Sequence, residues 1–154
     1  MIFEQILHRN PLDGDALQHL AVVRVQQDRA QEGVLLARRL TQIPSSKVVG
    51  FVLTGMMENQ MLNHERAVQA FEEALRLSPE LKGIPTEKTT VLQWLAEALI
   101  QLGRAAEAES YAVEVRDNSS GPEPCYIIGQ ARQQLGDEEG ARANWEESVA
   151  RDPK

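Results

Sequence analysis

Four side chains are the natural candidates for nucleophilic or metal chemistry: one cysteine, Cys125, and three histidines, His8, His19 and His64. A reactive thiol needs a neighbouring base, and a metal needs several donors on one face. The chain has no His-x-x-x-His or Cys-x-x-Cys spacing, and the three histidines lie far from Cys125 in sequence. A lone cysteine also has no partner for an internal disulfide, so packing is the plainer role for Cys125. Asp137-Glu138-Glu139 has the composition of a metal cluster, yet acids in the first turn of a helix complement its dipole without any ion. Asn118-Ser119-Ser120 fits a glycosylation acceptor, but a polar turn before Gly121-Pro122 is the stronger reading of so short a match. These residues imply no catalytic centre, no metal and no cofactor, and the chain is expected not to be an enzyme.

The elements that would carry such residues are set by a period. Phe3, Ala37 and Phe71 follow one another at 34-residue steps, each in an amphipathic stretch that ends near a proline. Gly33, Ala67, Ala108 and Ala141 recur at steps of 34, 41 and 33, and Ala21, Gly55, Ala96 and Gly129 form a second small column in the same phase. Small residues return where two helices must touch, and Pro11, Pro44, Pro79 and Pro153 stand where helices must end, because proline lacks the backbone donor. Period and punctuation predict helices at about 2–9, 14–28, 31–43, 47–61, 64–78, 89–102, 105–117, 122–135 and 138–151. Asn63, Gly103 and Gly136-Asp137 supply the turns. The step of 41 places an insertion at about 82–88, read as a longer loop rather than a binding element.

These residues resemble the tetratricopeptide repeat family. The last unit carries Cys125, Ile128-Gly129, Leu135-Gly136-Asp137, Ala141, Trp145 and Asp152-Pro153 at the family's positions. The unit near Val48 carries Phe51, Gly55, Ala67, Phe71, Ala74 and Pro79, and the unit near Thr89 carries Leu92, Leu95-Ala96, Leu102-Gly103, Ala108 and Ala112. The unit near Gly14 keeps Leu17, Leu20-Ala21, Gly33, Ala37 and Leu40, with Pro44 one residue early. The resemblance implies an all-α fold, a right-handed α-α superhelix (solenoid) of antiparallel helix pairs. It covers the whole chain as a single solenoid domain: a half repeat at 1–13, then repeats at about 14–47, 48–81, 89–121 and 122–154. Where the family usually has a large apolar or Tyr side chain this chain has Arg24, Glu58 and Arg132, with Leu99 alone keeping the type. The alternating charge predicts an ion pair between Arg24 and Glu58.

In that fold the first helix of each pair lines a concave groove. The resemblance then assigns the groove to Gln18, Val22, Val25 and Gln26, to Val49, Val52, Leu53, Met56 and Gln60, to Gln93, Trp94, Glu97 and Gln101, and to Tyr126, Ile127, Gln130 and Gln134. Val52, Leu53, Met56 and Trp94 are expected to form an exposed apolar patch, with Trp94 the best single anchor. Relatives that hold acidic chaperone tails use a clamp of Lys, Asn and Arg. Here the corresponding positions hold Gln18, Val22, Leu53, Thr90 and Trp94, so the carboxylate clamp is absent. A neutral or basic peptide with apolar anchors suits the groove better.

Composition narrows the partners. The formal net charge is −7, with eight Lys and Arg against nine acids up to Leu77 and 8 against 14 beyond it. An acidic balance opposes binding to phosphate backbones, so nucleic acid is not expected. No apolar run approaches the roughly 20 residues of a membrane span, so direct membrane insertion is not expected. Met1-Ile2-Phe3-Glu4 has neither a basic nor a continuous apolar segment of an export signal, which makes the cytoplasm the default compartment. Because the sequence opens on a second helix, with Phe3, Ile6 and Leu7 apolar, the expectation is a piece of a longer repeat protein or an open end that packs on another copy. A protein-binding scaffold is the leading reading; a docking arm of a larger enzyme and a self-associating stack are the alternatives.

Overall fold

The computed structural model describes residues 2–152. Among these residues there are nine α-helices and no strand: α1 (Ile2–Arg9), α2 (Gly14–Gln26), α3 (Ala30–Leu40), α4 (Lys47–Gln60), α5 (His64–Leu77), α6 (Lys88–Gln101), α7 (Ala105–Asn118), α8 (Glu123–Gln134) and α9 (Glu138–Arg151). The expected helices are all present, with ends moved by three residues or fewer. A short 3-10 turn at Pro44–Ser46 leads into α4, with Pro44 at its first position. Pro153, expected to close the last helix, lies outside the described residues.

The chain divides into two compact units, Met1–Pro85 and Thr86–Lys154, and the boundary falls inside the expected insertion. In the first unit α2 pairs with α3 and α4 with α5, α3 packs on α4, and α1 rests on α2. Leu7, Leu17, Leu20, Val34, Leu40, Leu53 and Met57 form its core with Ala16, Ala21 and Ala37. In the second unit α6 pairs with α7 and α8 with α9, while α8 also packs on α7 and α6. Its buried side chains include Leu92, Leu95, Ala108, Ala112, Val115, Cys125 and Ile128.

The column of Ala21, Gly55, Ala96 and Gly129 is matched in phase by Ala37, Phe71, Ala112 and Trp145 on the second helices, and the two meet at both glycines. A Cβ added to Gly55 would stand 2.6 Å from the Phe71 ring, and one added to Gly129 would stand 2.3 Å from Trp145. Where the opposite residue is Ala37 or Ala112, the small column itself carries Ala21 or Ala96. Glycine thus sits opposite an aromatic ring, and alanine stands at the steps where the matching position is alanine.

Each pair turns in the same way. Asp28 (φ 59°), Leu62 (φ 64°), Gly103 (φ 74°) and Gly136 (φ 83°) occupy the left-handed region directly after the first helix. The next amide then bonds back to the helix: Arg29 N to Arg24 O at 2.7 Å, Asn63 N to Glu58 O at 2.8 Å, Arg104 N to Leu99 O at 2.9 Å and Asp137 N to Arg132 O at 2.9 Å. This is the Schellman closure, which satisfies carbonyls that a helix end leaves open. Two helices also gain side-chain caps, from Asp13 to the Ala16 amide and from Asp137 to the Gly140 amide, both at 2.9 Å.

Candidate functional site

No group of three or more His, Cys, Asp or Glu among the described residues is placed to hold a metal ion. Two of the histidines serve local structure. His19 stacks on Phe3 with ring centroids 5.1 Å apart, and its Nδ1 lies 2.7 Å from the Asp15 carbonyl. His64 Nδ1 lies 3.1 Å from Asn59 Oδ1. Cys125 is buried, and loss of solvent pushes its thiol pKa up, the direction opposite to nucleophile activation. No helix among the described residues is long and apolar enough to cross a membrane.

The first helices present a surface that differs from the expected one in three residues. On α2, Val22 is exposed and Gln18 and Val25 are half-buried; on α4, Gln60 is exposed and Val49 and Met56 are half-buried. Val52 (0 % exposed) and Leu53 (1 %) are core, not surface. The reason is that α4 packs on α2, α3 and α5 at once, so only a narrow strip of it faces water, and Leu53 belongs to the apolar cluster with Leu17, Val34 and Met57. The patch of Val52, Leu53, Met56 and Trp94 therefore does not exist as drawn. In the second unit Ile127 (2 %) is likewise core, because α8 packs on α6, α7 and α9. Tyr126, Gln101 and Gln134 are exposed there, and Gln93, Trp94, Glu97 and Gln130 are half-buried. Two of these amides are held: Gln93 Nε2 donates to Glu97 Oε1 at 3.2 Å, and Gln134 Nε2 donates to the Ile100 carbonyl at 3.1 Å.

The charged column makes different partners from those expected. Arg24 does not reach Glu58. It pairs with Glu4 on α1 and, at 3.3 Å, with Glu32. Glu58 pairs with Arg38 on α3 at 3.3 Å and accepts from Asn63 Nδ2 at 2.8 Å. Arg24 and Glu58 stand one 34-residue step apart, as do Glu4 and Arg38. The same contact thus recurs with its charges exchanged, each column residue reaching back to the helix before its own pair. In the second unit Arg132 bonds to Glu109 on α7 at 2.5 Å and to Asp137 at 3.2 Å.

Two features escaped sequence reasoning. One is the cleft of about 260 Å³ beside Glu58, lined also by Leu35, Arg38, Met61 and Arg66. The other is Leu62, a left-handed leucine at the turn position that glycine fills in the second unit. The 34-residue step from Asp28 to Leu62 and the 41-residue step from Leu62 to Gly103 were the available signal for it.

A helical stack whose first helices expose aliphatic and amide side chains belongs to the class of helical-repeat proteins. Residues 55–81 match the sequence model of the tetratricopeptide repeat, so the chain carries that repeat in its α4–α5 pair. No curated protein matches the chain in sequence. Solved structures match it in fold. A crystal structure of MamA protein aligns over 97 % of this chain and 78 % of its own with a TM-score of 0.84 at 11 % identity. MamA AMB-1 aligns over 98 % and 86 % with a TM-score of 0.84 at 20 % identity, and MamA from Desulfovibrio magneticus RS-1, residue 41 to its end, over 91 % and 76 % with a TM-score of 0.80 at 13 % identity. At such identities the likeness is one of fold, and it bears out the helical-repeat architecture expected from the sequence.

Proposed function

We propose that this chain is a protein-interaction scaffold that holds a peptide or helix of a partner against its first helices and has no chemistry of its own. The observation that carries this reading is the surface of α2 and α4, where Val22 is exposed and Val25, Val49 and Met56 are half-buried on helices that also carry the amides Gln18 and Gln60. Val25, Val49 and Met56 rest against the first unit's core and keep part of their surface in solvent, while Val22 is exposed. Aliphatic anchors flanked by amides suit a partner segment that buries apolar side chains while its polar groups bond to glutamines. None of the proposed contact residues on the first helices is a Lys or Arg that could clamp a carboxylate, and the chain carries a formal net charge of −7. Both features favour a neutral or basic segment over an acidic one. Half-buried Trp94 is the anchor proposed for the second unit, since aromatic side chains dominate interface energetics.

The test is affinity capture from the source cells with the wild type and with a Val22→Glu, Met56→Glu double variant, after circular dichroism has shown equal helicity. Leu53 is unsuitable for this purpose because a charge there would enter the core. Partners held by the wild type and lost by the variant support the reading; a full set of partners retained by both overturns it.

A further inference from the structure

A cleft lies on the edge of the first unit where the turn between α4 and α5 meets α3. Leu62 sits there at φ 64° and is 74 % exposed. A leucine is disfavoured in the left-handed region by its Cβ, and exposing its side chain gains nothing from the solvent. The two turns of the second unit fill this same position with Gly103 and Gly136. Folding would be better served by glycine, and an outlier retained against local preference points to use elsewhere. On α3, Leu35 is 61 % exposed, and it lines the cleft beside Glu58 with Met61 and Asn63, the residues on either side of Leu62.

The charges in this cleft fix the kind of partner. Its three charged residues are Arg38, Arg66 and Glu58. Glu58 is buried and already engaged by Arg38, whereas Arg38 keeps 54 % of its side chain exposed and Arg66 is exposed with no carboxylate in ion-pair range among the described residues. Every exposed charge on the cleft is therefore an arginine, in a chain whose net charge is −7.

We propose that this edge docks an acidic, apolar segment of a partner protein, with a leucine-like side chain against Leu35, Met61 and Leu62 and a carboxylate on Arg66 and the free side of Arg38. Arginine's planar fork suits such a carboxylate. The surface is separate from the strip on α2 and α4, and its preferred ligand has the opposite charge.

Phage-displayed random 12-residue peptides selected on the immobilised full chain test this, the enriched sequences then being synthesised with fluorescein and titrated by anisotropy. The expected consensus pairs Asp or Glu with Leu, Met or Phe. Leu62→Gly and Arg66→Glu should each weaken binding about tenfold or more, as truncation of an interface anchor does, and the affinity should fall with added salt. Leu62→Gly gives this turn the residue used by the second unit's turns, so its melting temperature should not drop and a loss of binding cannot be blamed on unfolding. Val22→Glu with Met56→Glu should leave this affinity within about twofold, since the two sites share no residue. Three results would overturn the proposal: no enriched peptide, a consensus without acids, or binding that ignores both edge variants. Peptides lost only in the α2–α4 variant would support that strip and reject this edge.

Discussion

Glu58 and Arg38 illustrate how exposure decides which half of an ion pair matters. Glu58 has 1 % of its side chain exposed and Arg38 54 %, so the two ends of one contact see different solvents. Removing Arg38 leaves a buried carboxylate with only Asn63 beside it, whereas removing Glu58 leaves an arginine that water can reach. Breaking a buried pair from the exposed side is the damaging direction. Arg38→Leu is expected to lower stability by about 2 kcal/mol, and Glu58→Leu, which restores the residue type found at Leu99, by less than about 1 kcal/mol. Urea midpoints of the two variants check the order, and a larger loss for Glu58→Leu would refute it. The thiol of Cys125 gives a second residue-level expectation. It is buried and its pKa is raised by desolvation, so at neutral pH a disulfide reagent should modify it slowly in the native protein and rapidly in urea. Fast native labelling would contradict its placement in the core.

At the scale of helices, the distance between partners within a pair is governed by two facing positions acting together. The Phe71 ring lies where a Cβ on Gly55 would be, so Gly55→Ala should cost about 1–3 kcal/mol through overpacking, although alanine favours helix. In a Phe71→Ala background the same change should cost nothing or stabilise, because the Ala21–Ala37 pair shows that two alanines are tolerated at this step of the repeat. A double-mutant cycle on thermal unfolding measures the coupling; additive effects would reject the size-matching account. This pairing also explains what could be read in advance. The small-residue columns and breakers located every helix, because period and punctuation are local properties. Which face of α4 and α8 meets solvent is not local. Each packs on three neighbouring helices, so Val52, Leu53 and Ile127, assigned to the groove by the pattern of the family, fall inside the core. The partner of Arg24 was misjudged for a similar reason: charge alternation marks a column that needs partners, but only packing brings Glu4 to it.

Across the whole molecule, pairing and net charge act on stability at different pH. Glu4, Glu73 and Glu107 have pKa values held below the ordinary 4.5, chiefly by hydrogen bonds from Arg24, Arg76 and Arg104 respectively. A carboxylate depressed in the folded state stabilises fully above the unfolded value, and that contribution disappears as pH falls through the folded one. The window of loss therefore opens at about pH 4.5 and extends downward. Between neutrality and that point the trend is opposite, since protonation reduces the repulsion of a chain carrying −7. Stability should be level or rise slightly from pH 7 to about 5 and then fall. All three glutamates are at the surface, so the effect is shared and should weaken in high salt. Urea midpoints measured from pH 7 to 3 for the wild type and for Glu4→Gln, Glu73→Gln, Glu107→Gln combined provide the test. The triple variant should start lower at pH 7 and show a flatter acid limb, converging on the wild type as the native carboxylates protonate. Curves that coincide at every pH would mean that these pairs contribute nothing to folding, and would leave the acid limb to other carboxylates.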